Sequence, residues 1–160
     1  MKTLLTLLIF AVSIQNTLSQ TISESDSIAI TRKIDDWNHA WKIKDAKLAA
    51  KWYSTDADFT NAFGFSMIGT SAIEEYLSRV FNMDFVMAGD SEQTSLKLRF
   101  VSDNSILAIS TISRKGQLQS DGSELGDRTT THHRLFKKDT DWQIIAHLIS
   151  DARSIESNKH

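Results

Sequence analysis

The sequence predicts an α+β domain: three helices, one early strand inserted between the second and third, then a curved antiparallel sheet wrapped on them. Three observations predict it. Ile30, Ile34, Trp37 and Trp41 recur at steps of four, three and four, one face of a helix. Ser71 and Glu74 have S-x-x-E capping-box spacing at the head of a second apolar-periodic run. From Ser91 onward the period falls to two, with Leu96, Leu98 and Phe100 alternating with Lys97 and Arg99.

The 160 residues leave room for one domain with a sizeable core. Lys and Arg number 18 against 20 Asp and Glu, and no dense basic run occurs, which argues against a nucleic-acid partner. Residues 1–19 differ from the rest. Lys2 precedes an apolar run from Leu4 to Val12, and Thr17 and Ser19 place small residues at the −3 and −1 positions of a cleavage site. That is the pattern of a secretory signal peptide, so the chain is expected to be exported, periplasmic or secreted, with a mature form starting near Gln20. The run is too short to span a bilayer, and no membrane association is expected after cleavage. Cysteine is absent, which rules out disulfides, thiol catalysis and thiolate metal sites. Proline is absent too, so turns rely on Gly, Asn and Asp.

Residues 20–27 read as a polar lead-in and 28–153 as the domain. Helical character runs from Ile28 to Tyr53, interrupted where Asp45 is placed to cap a short second helix with Leu48, Ala49 and Trp52 inward. A strand is expected over 57–62, then a turn marked by Gly64 and Gly69. The third helix carries Ile73, Tyr76, Leu77 and Val80 on its apolar face and ends near Phe81. Ile106–Ser113 is apolar on both faces, Ile106 and Ala108 on one, Leu107 and Ile109 on the other. Residues 114–127 read as either a long hairpin loop or ragged strand ends, Arg128–Lys138 as a long strand, and Trp142–Ser150 as the last one. Strict alternation puts Trp142, Ile144, Ala146 and Leu148 on one face of that strand and His147 on the other. Residues 154–160 are a polar tail.

This order of elements resembles the nuclear transport factor 2-like superfamily, and within it the SnoaL-like, SgcJ/EcaC group. The features that carry the resemblance are Trp37 to Trp41 before Asp45, D-A-D-F-T-N at 56–61, Gly64 and Gly69, Ile73, Arg128–Thr131, K-K-D-T-D-W at 137–142 and Ile144–His147. They span about residues 28–153. The resemblance implies a cystatin-like cone, a sheet curved over helices with a pocket inside, and a homodimer packed through outer sheet faces. It covers ketosteroid isomerase, cyclases and dehydratases as well as non-catalytic binding modules, so fold does not fix function. An oxidoreductase label attached to the group finds no support in a G-x-G-x-x-G or other cofactor motif here, and no cofactor is expected.

On that reading the polar pocket candidates are Asp58, Asn61, Tyr76, His132, Arg134 and His147, with Trp37 and Trp41 as aromatic lining. Asp58 with Tyr76 would supply a base and an oxyanion donor, with His132 as a further acid–base group. The plainer alternative makes Asp58 a strand-edge residue and the tryptophans core packing. Strand parity sets Asp58 and Asn61 on opposite faces, and the resemblance, which runs through the F-T-N triplet, favours Asn61 for the inward one. Parity also separates His132 from His133, and His132 shares its face with Thr130, Arg134 and Phe136. A histidine pair with Arg134 suits an anionic or carbonyl ligand. No H-x-H or H-E-x-x-H spacing is present and no metal site is expected. Gly64-Phe65-Ser66 begins like a nucleophile elbow, but Ile68 stands where its second glycine belongs. Three readings therefore stand: a cofactor-free isomerase, cyclase or dehydratase acting on a small hydrophobic carbonyl compound, an exported module that binds a small ligand, or a structural dimer domain.

Overall fold

A computed structural model describes residues 21–152. The expected signal peptide and the polar tail lie outside the described residues. The element order is α1 (Glu24–Ile43), α2 (Ala46–Ala50), β1 (Tyr53–Thr60), β2 (Ser66–Ile68), α3 (Thr70–Phe81), α4 (Asp84–Met87), β3 (Asp90–Ser102), β4 (Ser105–Lys115), β5 (Arg128–Lys138) and β6 (Trp142–Ala152). The strands form one sheet in the order β2-β1-β6-β5-β4-β3, open at both ends. The α+β class and the three N-terminal helices are as the sequence predicts. One pairing is not: β1 runs parallel to β6. No hairpin joins these two strands, so nothing forces them antiparallel, and the whole β2-to-β5 stretch serves as the crossover.

Helix α1 starts four residues before the expected Ile28, inside the polar lead-in. Ser23 caps it by accepting from the Asp26 N–H, and Glu24 and Asp26 favour the positive end of the helix dipole. Asp26 also accepts from Lys138 Nζ at 2.7 Å and Trp142 Nε1 at 2.8 Å, tying the first turn to the β5–β6 hairpin. Asp45 caps α2 as expected. Helix α3 does not use the Ser71–Glu74 box. Its N-cap is Gly69 at φ +86°, where an added Cβ would stand 2.7 Å from the Thr55 carbonyl oxygen. Thr70 Oγ1 instead donates to the Tyr53 and Ser54 carbonyls, fastening α3 to β1. The short β2 and α4 carry no periodic pattern long enough to announce them.

The helices cover one face of the sheet. Ile30, Ile34 and Trp37 from α1 and Ile73 and Leu77 from α3 form one buried cluster with Phe59, Ile106, Ala108, Phe136, Trp142 and Ile144 from the strands. Inner and outer residues alternate along β4 and β5. On β6 they do not. Leu135 pairs with Ala146 and Phe136 with Ile144, so Ile145 is an extra residue, a β-bulge. The bulge resets the parity: Trp142 and Ile144 are buried before it and His147 after it, while Leu148 is half exposed. The strict alternation expected for this strand is thereby corrected. Both halves of β6 present their large residues to the same covered face.

Candidate functional site

Between α1, α3 and the inner face of the sheet lies a cavity of about 290 Å3, at the small end for a ligand pocket. Its walls are largely apolar: Trp37 and Trp41, Phe59, Leu77 and Val80, and Ile149. Phe63 and Phe65, both more than half exposed, stand on the turn between β1 and β2 and rim it. Five residues named from the sequence line it, namely Trp37, Trp41, Asn61, Tyr76 and His132. His147 and Arg134 sit directly behind His132. Asp58 does not join them. It is exposed on the opposite face of β1, beside Thr60, Leu107, His133 and Leu135, so the expected Asp58–Tyr76 pair is not formed. Parity decides this: Ala57, Phe59 and Asn61 are buried, and the residues between them are not.

Tyr76 is paired with Asn61 instead. Asn61 Nδ2 donates to the Tyr76 hydroxyl, and its Oδ1 accepts from the N–H groups of Phe63 at 2.9 Å and Phe65 at 3.0 Å. One amide thus joins strand, rim and α3. With its oxygen accepting from Asn61, the Tyr76 O–H is left to donate into the cavity.

The chemistry sits behind His132. The Tyr53 hydroxyl is bonded to His147 Nδ1, His147 Nε2 lies 3.0 Å from His132 Nδ1, and Arg134 Nη2 lies 3.1 Å from the same His132 Nδ1. Arg134 Nη1 donates to Ser110 Oγ at 2.8 Å. A guanidinium only donates, so His132 Nδ1 is an acceptor and carries no proton. His147 Nε2 must then be the donor of the second bond, which leaves His147 Nδ1 to accept from Tyr53. The proton of neutral His132 is consequently on Nε2, which lies 3.3 Å from Thr130 Oγ1 at the cavity wall. Arg134 fixes both tautomers with a single contact.

Burial keeps this set neutral. Both imidazoles are held well below the ordinary histidine range, first by desolvation and then by the Arg134 charge. Burial also pushes the Tyr53 hydroxyl up, against the pull of Arg134, and lowers Arg134 to about 10. Arg134 remains a cation at neutral pH. Its guanidinium carbon lies 4.8 Å from the centroid of the Trp37 ring, and that ring also meets His132 and His147 edge-on. Trp37 therefore combines the packing and site roles that the sequence left as alternatives.

Sequence reasoning did not single out Tyr53, Ser110, Arg114 or Arg128. Tyr53 closes a run that reads as helix. Arg114 falls at the edge of the long connection, although its even number shares the inner parity of Ile106 and Ala108. Among the described residues no three of His, Asp or Glu come together to hold a metal ion.

Searches of protein-family models and of curated proteins find no match. Solved structures do match. The chain is similar to an uncharacterised protein with a cystatin-like fold from Caulobacter vibrioides (TM-score 0.71, 18% identity, covering 79% of this chain and 89% of that one). It is similar to a ketosteroid isomerase-like protein from Erwinia carotovora atroseptica (TM-score 0.68, 14% identity, 82% and 100%). A provisionally assigned scytalone dehydratase from Novosphingobium aromaticivorans matches with a TM-score of 0.64 at 13% identity over 85% and 90%. At these identities the likeness shows the fold alone, and that fold is cystatin-like.

Proposed function

We propose that this chain is an exported SnoaL-like domain that binds a small, largely apolar carbonyl compound in the inner cavity and moves a proton on it through His132, without a cofactor. The observation that carries the reading is the hydrogen-bonded chain Tyr53–His147–His132 ending at the cavity, with both tautomers set by Arg134. His132 Nε2–H donates to the ligand oxygen. A solvent water takes the proton from the carbon next to the carbonyl; as negative charge builds on the oxygen, the His132 Nε2 proton passes to it, His132 Nδ1 takes the Nε2 proton of His147, and His147 Nδ1 takes the Tyr53 proton. The transient phenolate is opposed by the Arg134 charge. The return flow restores the resting tautomers, so the relay runs in either direction. Tyr76 supplies a second donor to the same oxygen. The isomerase-like and dehydratase names among similar structures belong to chemistry of this kind. The outer sheet face around Leu107, Leu135 and Leu148 is the surface for the homodimer.

Hydrogen–deuterium exchange tests the reading. With 2-tetralone in D2O followed by NMR, the wild-type protein is expected to accelerate exchange at the carbon next to the carbonyl, and His133→Gln to do the same. His132→Gln is expected to lose at least about 100-fold of the acceleration. No acceleration by folded wild-type protein overturns the proton-transfer reading. N-terminal sequencing of exported protein, expected to begin at Gln20, and light scattering of its mass check the export and dimer parts.

A further inference from the structure

The cavity has a second polar end, away from His132, and it is cationic. Arg114 on β4 and Arg128 on β5 are direct cross-strand partners on the inner face, and both line the cavity. Like charges placed opposite each other destabilise a strand pair. One carboxylate answers them: Arg128 Nη1 meets Asp151 at 2.7 Å, and its Nε donates to Gln117 Oε1 at 2.8 Å. Arg114 is less well served. It is 8% exposed, its Nε has no partner among the described residues, and Nη2 reaches the Val86 carbonyl only at 3.5 Å. Burying a guanidinium with a hydrogen-bond donor unspent is costly. Among the described residues, no Asp or Glu lines the cavity. The guanidinium of Arg114 lies 4.4 Å from the Trp41 ring centroid and that of Arg128 5.8 Å from the Phe63 ring centroid, so both charges border the aromatic walls.

We propose that the ligand of this cavity is an apolar monoanionic carboxylate whose carboxylate lies between Arg114 and Arg128 while its other end reaches His132. This rests on the reading that the cavity is the ligand site, and it names the class of ligand. Arg128 and His132 are four residues apart on one strand, on the order of 13 Å between Cα atoms. The long arginine side chains shorten that span to the length of a small aryl or alkenyl acid. Combined with the carbonyl at the His132 end, the substrate class is an apolar oxo acid. A carboxylate accepts the Arg114 hydrogens that the protein leaves unspent and offsets the facing cations.

The test compares two isosteric probes by calorimetry on the full mature chain, 2-naphthoate and uncharged 2-naphthamide. The expected result is at least about tenfold tighter binding of the naphthoate, weakening as salt is raised. Arg114→Gln is expected to reduce the preference to below about threefold. Arg128→Gln, with a thermal melt to confirm folding, serves as the second variant. Equal affinity for the two probes overturns the carboxylate inference and leaves the ligand cavity standing. Binding of neither probe overturns both. A preference that survives in both folded variants also overturns it, because the anion would then be held elsewhere.

Discussion

On β5, His132 points into the covered face of the sheet and His133 into the uncovered one. The first sits in a bonded chain with His147, Arg134 and Thr130, against the Trp37 ring. The second shares its face with Leu107, Leu135, Leu148 and the exposed Asp58, and its Nδ1 has no hydrogen-bond partner among the described residues. The side chain is identical and the strand is the same. What differs is the layer of helix above. Covering one face of a sheet makes the imidazole beneath it a neutral group of fixed tautomer, because water there is replaced by a cation and two aromatic walls. The site is made by α1 and α3 as much as by the strands that carry its polar atoms.

The largest expected effect comes from removing what lets both halves of β6 contribute to the covered face. Deleting Ile145 straightens the bulge, and a shift of one residue turns either Trp142 and Ile144 or His147 and Ile149 outward. We expect a loss of at least about 4 kcal/mol, seen as a thermal midpoint lowered by more than about 15 °C or as insoluble protein. A deletion variant that melts within a few degrees of wild type would show that the bulge does not set the face.

An intermediate effect probes the covered face by pH. His132 and His147 have folded-state pKa values lowered below those of the unfolded chain. Their contribution is fully present above the ordinary histidine range and is lost as pH falls through it, because the unfolded state then binds the extra protons. From pH 6 to pH 5, urea unfolding is expected to lose about 2 kcal/mol from the pair. His132→Gln should reduce that loss to about 1 kcal/mol. A loss that stays at about 2 kcal/mol in His132→Gln would show that the covered imidazole does not carry it.

The smallest effect is expected at Asp58. Asp58→Asn lies outside the cavity and should alter stability by less than about 0.5 kcal/mol and leave tetralone exchange at the wild-type rate. A large loss of exchange would mean that the outer face takes part in the chemistry.

Much of the fold is legible in the sequence because its periodicities survive folding. The α1 stripe, the Asp45 cap, the end of α3 at Phe81 and the bounds of β5 all follow from local pattern. So does the opposition of Asp58 and Asn61 across the strand, which needs only that β1 be extended. What is not legible depends on pairing. A bulge leaves no mark in the period of its own strand, since Ile144 and Ile145 are both apolar, and it shows only against the partner register. The parallel β1–β6 contact involves strands at opposite ends of the chain, and Tyr53 enters the site only through it. The facing of Arg114 and Arg128 likewise exists only once β4 and β5 are in register.

Asn61 holds the turn that bears Phe63 and Phe65 while also holding the Tyr76 hydroxyl. The width of the entrance is therefore governed by a side chain inside the cavity and not by the slack of a surface loop. Access and recognition cannot drift separately. A substitution that retunes the interior at this position also moves the doorway, so a change of ligand preference here carries with it a change in the speed of entry.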